Sequence, residues 1–355
     1  MRIITLSLLA ATALAAACGT TAQEPVVPEA PDESEASAAT GAQDPLRAQA
    51  RGLFGTLPAV AEAKADNPMT DAKITLGRTL YFETRLSASG EMSCNTCHQL
   101  ESYGVDHEPT SPGHAGVRGD RNSPTVYNAA LHAFQFWDGR AEDVEAQAVG
   151  PITNPVEMGM ADGPQVVGTL KGIAGYGPLF EAAFPGDPDP ITLANVGNAI
   201  GAFERTLLTP APFDAWLAGD DAALSAPQRA GLQAFVETGC VSCHMGPTLG
   251  GQAHMKLGQV EPYPTEDIGR AKVTGADGDR FFFKVPSLRN VAETGPWLHD
   301  GSVRDLPAMV RLMAKHQLGR ELTDAQVTEI VAFLESLTGT VAPEAIARPT
   351  LPDMG

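Results

Sequence analysis

Cys94-Asn95-Thr96-Cys97-His98 and Cys240-Val241-Ser242-Cys243-His244 decide how this chain is built. A Cys-x-x-Cys-His run is an attachment site for c-type haem: the two thiols add to the vinyl groups as thioethers, and the following imidazole reaches the iron. A redox dithiol or half of a zinc site would explain paired cysteines, but not a histidine directly after the second cysteine at both places. The chain has only five Cys and eight His among 355 residues, so the repetition is no accident of composition. Two covalently bound c-type haems follow, held by Cys94, Cys97 and His98 and by Cys240, Cys243 and His244.

The fifth cysteine lies at the start. Met1 to Ala17 carries one basic residue, Arg2, then an apolar run from Ile3 to Leu14 and the small-residue close Ala15-Ala16-Ala17, the pattern of a cleaved secretory signal. It is too short to span a bilayer as a stable helix. Cys18, directly after that site, resembles the acylated cysteine of a bacterial lipoprotein, so lipidation there and a membrane tether in the periplasm are expected. Every other cysteine then holds haem, which leaves no pair for a structural disulfide. Residues 18–50 are rich in Ala, Pro and Glu and poor in large apolar side chains, and they read as a flexible acidic linker.

The length beyond that linker suits two domains of ordinary size. A first haem domain is expected over 51–210, a second over 211–342, and a tail over 343–355 that packs back on the first. The formal charge of −19 excludes nucleic acid as a partner, because phosphates need a basic surface.

Helical signals dominate, so the fold class is mainly α: two cytochrome c-like haem domains with long ordered loops. Thr70 can cap a segment through Ile74, Leu76, Leu80 and Tyr81 ahead of the first haem motif. Ser225 with Gln228 can open one through Leu232, Phe235 and Val236 ahead of the second, and Thr323 with Gln326 can open a closing helix stopped by Gly339. A segment from Thr192 puts Val196, Ile200, Phe203 and Leu207 on one face, and Pro210 and Pro212 mark the domain boundary. The 36 Gly and 28 Pro imply long connections, which a large tethered apolar macrocycle can keep packed.

The stretches Arg121–Asn128, Gln135–Arg140, Lys284–Asn290 and His299–Ser302 carry a specific resemblance. Residues 65–340 resemble the bacterial dihaem cytochrome c peroxidases. The resemblance implies an oxidoreductase that reduces hydrogen peroxide to water, with electrons from a small donor protein, a cytochrome c or a blue copper protein. They would enter at the C-terminal haem and pass to a peroxidatic N-terminal haem.

The same resemblance places Met313 as the sixth ligand of the second haem iron, with Met309 as core packing and His316 at the surface. It places His114 as a displaceable distal ligand of the first, whereas His107 and His132 are read as structural. Glu157 falls at the position of the catalytic acid and base, Gln147 at that of a pocket amide, and Trp137 at that of a tryptophan bridging the haems. Asn122, with the backbone oxygens of Thr294 and Pro296, matches an inter-haem calcium site, whose hard oxygen donors suit Ca²⁺. Members of the family are often homodimers. Two rival readings share the fold: an enzyme that oxidises a partner protein to mature its cofactor, which carries Tyr in place of Met313 and lacks the distal His, and a plain dihaem electron shuttle.

Overall fold

A computed structural model describes residues 44–354. The signal segment, Cys18 and the linker through residue 43 lie outside the described residues. In chain order the α-helices are α1 (Pro45–Phe54), α2 (Asp71–Tyr81), α3 (Cys94–Cys97), α4 (Val144–Thr153), α5 (Gly163–Lys171), α6 (Tyr176–Ala183) and α7 (Leu193–Glu204). There follow α8 (Pro212–Ala218), α9 (Ala226–Thr238), α10 (Ala271–Thr274), α11 (Leu306–Leu318), α12 (Asp324–Glu335) and α13 (Pro343–Ile346). Among the described residues the one sheet pairs β1 (His254–Lys256) with β2 (Phe282–Lys284) antiparallel, His254 opposite Lys284. Long connections without regular structure join these elements.

Local chemistry sets the helix starts. Thr70 Oγ1 accepts from the Lys73 amide, Thr192 caps α7 through Asn195, and Ser225–Gln228 and Thr323–Gln326 form reciprocal boxes ahead of α9 and α12. α12 stops at Glu335, short of Gly339. The chain turns there to bury Leu337, and the Gly339 amide donates to Asn290 Oδ1 at 2.8 Å.

Two apolar cores result. The first gathers Leu76, Leu80, Tyr81, Phe180, Ile200 and Phe203, and the second gathers Phe213, Trp216, Leu232, Phe235, Ile330 and Phe333. In each, the helix ahead of a haem motif crosses a later helix backbone to backbone, α2 on α7 and α9 on α12. A Cβ on Gly77 would lie 1.9 Å from the Ala199 carbonyl oxygen, and one on Gly231 would lie 1.8 Å from that of Glu329. Only glycine permits crossings this close.

The amino-terminal boundary departs from the expected one, whereas the tail packs on the first core. Residues 45–54, assigned from sequence to the end of the linker and the start of the first domain, form α1 under an Asp44 cap. Ala50 and Phe54 join the second core, where Phe54 meets Phe213 edge-on at 5.6 Å. Burial of that apolar face offsets the ordering entropy that the preceding composition cannot. At the other end Ala345 is buried in the first core, Leu351 packs against it, and Arg85 Nη2 donates to the Pro352 carbonyl at 2.9 Å. Pro212, read as a boundary, also opens α8 at its first turn.

The two halves repeat one loop design at a constant sequence offset. Asn128 and Asn290 both adopt left-handed backbone, with φ of 62° and 59°, and each opens a 3₁₀ turn. Their side-chain amides converge on one hydroxyl, Thr209 Oγ1, at 2.8 and 2.9 Å. The bridges Gln135–Ala141 and Trp297–Val303 then form matching loops, so Trp137 and His299 occupy corresponding places. That repeat hangs both loops from a common pivot at Thr209.

Candidate active site

Each Cys-x-x-Cys-His run opens onto its own cavity. Cys240, Cys243 and His244 follow α9 and line a cavity with about 1640 Å³ of empty space, part of it open to solvent, whose walls include Phe235, Leu257, Phe283, Leu298 and Leu334. His244 Nδ1 lies 2.9 Å from the Leu249 carbonyl and donates to it, which leaves Nε2 as the nitrogen with a free lone pair. Met309 and Met313, one turn apart on α11, both line this cavity. His316 lies outside it, partly exposed, and its Nδ1 donates to the Glu261 carbonyl at 2.9 Å.

Cys94, Cys97 and His98 sit on α3 and its C-cap and line the other cavity, the first in chain order, with about 1730 Å³ of empty space. Asn95 is buried beneath them and accepts the Leu100 amide at 3.0 Å, while Tyr81 donates to the His98 carbonyl at 2.7 Å. Burial pushes the Cys94 thiol up to about 12 and the Cys97 thiol up to about 11. Such thiols are neutral at physiological pH, unlike the thiolates of reactive dithiols. All four cysteines of the two motifs are free of disulfides. Paired thiols and an adjoining buried imidazole in each cavity, with the His244 lone pair freed by the Leu249 carbonyl, fit a tethered haem in kind and in size.

The first cavity alone has an acid in its wall. Asp143 caps α4, which carries Gln147, and the chain then turns about Asn154, whose carbonyl accepts the amides of Glu157 at 3.0 Å and Gly159 at 2.9 Å. Gln147 and Glu157 both line the cavity, together with Arg140 and Trp137. Burial raises the Glu157 carboxyl above its ordinary range, opposed by the nearby Arg140 charge and a hydrogen bond from Asn154. A carboxyl so placed can take up and return a proton near the reacting oxygens.

His114 is held differently. Its amide donates to the Glu157 carbonyl at 2.8 Å, its ring Nε2 lies 3.2 Å from the Pro155 carbonyl, and the ring packs over Gly159. The side chain is not among those lining the cavity. Glu157, Gln147 and Trp137 therefore come together around the Cys94–His98 seat, while the His114 ring packs against Pro155 and Gly159.

Trp137 joins the two seats. It lines both cavities, as do Asn122, Pro124, Thr125 and Lys284. Its Nε1 donates to the Asn122 carbonyl at 2.9 Å, the Asn122 amide donates to the His299 carbonyl at 2.7 Å, and the Trp137 and His299 rings meet edge-on at 6.4 Å. Asn122 Nδ2 donates to the Glu108 carbonyl at 3.0 Å, which leaves Oδ1 to accept. Thr294 and Pro296 line the cavity beside it. Among the described residues no three His, Cys, Asp or Glu cluster as a metal site, so a cation here would rely on amide and carbonyl oxygens, the donor set Ca²⁺ accepts.

Several site residues carry no signal of their own in the sequence. Arg121 binds Asp267 through Nε at 2.6 Å and Asp138 through Nη1 at 2.6 Å, closing one wall. Glu204 lines the first cavity with its carboxyl pushed up to about 8 by burial. Lys284 and His132, the latter read as merely structural, meet between the seats at 3.3 Å. The apolar run Phe281-Phe282-Phe283 directly ahead of Lys284 was the available hint that this lysine is buried.

Residues 71–222 match the di-haem cytochrome c peroxidase family, and residues 228–338 match the cytochrome c family. The chain is 46% identical over 303 residues to the cytochrome c551 peroxidase of Pseudomonas aeruginosa, a match that covers 83% of this chain and 87% of that protein. The chain belongs to the di-haem cytochrome c peroxidase family. A second member, the cytochrome c551 peroxidase of Nitrosomonas europaea, is 42% identical over 293 residues, covering 81% of this chain and 86% of that one. Among solved structures, a MauG-like protein associated with microbial copper homeostasis superposes with a TM-score of 0.74 at 27% identity, over 83% of this chain and 97% of that one. As a di-haem peroxidase the protein is an oxidoreductase with two c-type haems, and its substrate is hydrogen peroxide. No described helix is long and apolar enough to cross a membrane.

Proposed function

We propose that this peroxidase works in the periplasm, takes electrons from a small cytochrome c or cupredoxin at the Cys240–His244 haem, and reduces peroxide at the Cys94–His98 haem. One asymmetry carries the assignment: Glu157 and Gln147 line only the first cavity, whereas Met309 and Met313 line only the second. A haem that relays electrons wants both axial positions filled, and one that meets peroxide needs one position open. The domains follow as a peroxidatic unit within 51–210 and an electron-transfer unit within 211–342, with α1 added to the latter.

When bound, the haems supply the two electrons and the open coordination position. The Gln147 amide orients the peroxide. The Glu157 carboxylate takes the proton from the near oxygen and returns it to the far one, which leaves as water; two electrons and two protons complete the reduction to two waters. Trp137 places a π-system between the seats. Met313 would be the residue that holds the second iron opposite the Cys240–His244 attachment, and Met309 would line the same cavity. His114 would serve as the displaceable ligand of the resting enzyme, and its place against Pro155 would be the position it takes when released. Asn122 Oδ1 and the carbonyls of Thr294 and Pro296 would hold Ca²⁺, whose hard oxygen preference suits that donor set. Cys18 tethers the chain by lipid, and two copies pair as a homodimer.

The test is steady-state consumption of hydrogen peroxide with a reduced cytochrome c donor, with and without prereduction and calcium, alongside EPR at half-reduction. Turnover together with a vacancy at the first iron is expected. Two six-coordinate irons and no turnover would make the protein an electron shuttle, while slow turnover with oxidation of a partner protein would move it to the maturation class.

A further inference from the structure

Four cationic side chains line the two cavities, and three of them already have carboxylate partners. Arg121 is paired with Asp138 and Asp267, Arg140 with Asp138, and Lys272 with Asp120 and Asp267. The fourth, Lys284, is 5% exposed and has one side-chain partner, His132 Nδ1 at 3.3 Å. An ammonium has three hydrogens to donate, so two are left over.

The partner is itself unfinished. Because His132 Nδ1 accepts from the ammonium, Nε2 carries the ring hydrogen, and that atom is buried with no acceptor. Burial and the Lys284 charge hold the ring well below its ordinary pKa, so it stays neutral. Lys284 is drawn down to about 8 by burial alone, a sign that the protein supplies no counter-charge. Buried donors in this state call for an anion.

We propose that Lys284 and His132 together hold a carboxylate of the C-terminal haem and thereby raise that haem's reduction potential. Three observations favour this haem over its neighbour. Lys284 is the sole lysine or arginine among the residues lining the C-terminal cavity. His132 lines that cavity and not the other. The N-terminal cavity has Arg121, Arg140 and Lys272 of its own. β2 fixes the lysine rigidly: its amide donates to the Trp137 carbonyl at 2.7 Å, and it pairs with His254 across the sheet. A fixed cation beside a haem carboxylate disfavours the more positive ferric state. Lys284 is thus a positioning and tuning residue on the electron path, placed where the two seats meet.

The inference rests on the seating of a haem in that cavity, so haem content is counted first, by pyridine haemochrome on the full chain. Optical redox titration then compares wild type, Lys284→Met and Lys284→Arg, each carrying two haems. In Lys284→Met the reduction equilibrium of the C-terminal haem should move at least tenfold toward the oxidised form, 59 mV for a one-electron couple. Lys284→Arg should stay within about threefold of wild type, since the charge is kept. A crystal structure of the wild-type holoprotein gives a second readout, independent of any variant, with Lys284 Nζ expected within hydrogen-bond distance of a haem carboxylate oxygen. An unchanged potential in Lys284→Met, or a wild-type ammonium that meets only water or a protein carboxylate, overturns the proposal. Fewer than two haems per wild-type chain overturns the seat assignment beneath it.

Discussion

The backbone amide of His114 donates to the carbonyl of Glu157 at 2.8 Å, so the loop bearing the histidine and the turn bearing the acid move as one strip. The contact is possible because Gly113 lies against the same turn: a Cβ there would sit 1.8 Å from the Val156 carbonyl oxygen. Gly113→Ala should push the strips apart, costing about 1–3 kcal/mol of stability as overpacking does. The haem-binding cysteines are untouched, so two haems should remain while turnover and the spin change at the first iron on half-reduction are both impaired. Calorimetry and EPR on the same preparation check this, and a variant with wild-type melting and turnover would show that the strips are not coupled.

Glu157→Gln keeps the shape of the side chain and removes its ability to carry a proton. Peroxide turnover should fall by roughly 10²–10⁴-fold, the span usual for a lost general acid and base. The spectra of both haems and the thermal midpoint should stay close to wild type, because the carboxyl makes no buried ion pair. Stopped-flow measurement of peroxide consumption by the prereduced enzyme reads the effect directly.

Met309 and Met313 share one face of α11 and one cavity, and they are separated by substitution. Met313→Ala should abolish the optical signature of methionine-ligated ferric haem and lower the potential of the C-terminal haem, since a thioether ligand raises it. Met309→Ala should keep that signature and lose about 0.5–3 kcal/mol of stability, since the side chain lines the cavity and is only partly buried. The reverse pattern would assign Met309 as the ligand.

What could be read from the sequence was what is local. The Cys-x-x-Cys-His runs, the caps at Thr70, Ser225 and Thr323 and the apolar face after Thr192 each lie within a few residues of their partners. α1 was missed because its sparse apolar face, Leu46, Ala50 and Phe54, follows directly on a disorder-like composition and finds its core only near residue 213. The resemblance brought out Glu157, Gln147 and Trp137, which do gather at one seat, but nothing local says that the His114 ring rests on Pro155. Lys284 stood inside a recognised stretch with no role, because its meaning depends on His132, far along the chain, and on three other cations being already paired. The repeated loops at Asn128 and Asn290 were legible in principle, since both stretches end in Asn and are followed at equal distance by a Trp-bearing loop.

Arg121 and Asp138 from the first half of the chain meet Asp267 from the second, and the Arg121–Asp267 pair ties the halves together. Burial alone would raise the Asp267 carboxyl, but hydrogen bonds from Arg121 and the Gly269 amide, with the Arg121 and Lys272 charges, outweigh it and hold the group at about 2. The unfolded chain titrates this group near 3.9. A carboxyl with a depressed folded-state pKa contributes stability that is complete above the unfolded value and is lost as pH falls toward the folded one. Asp267→Asn should therefore cost about 1–2 kcal/mol at neutral pH, after allowance for partial solvent screening. That deficit should shrink between about pH 4 and pH 2 as wild type loses the same interaction. Denaturant unfolding across that pH range, wild type against variant, measures it. A deficit independent of pH would mean that packing or the Gly269 contact, and not the charge of Asp267, joins the two halves.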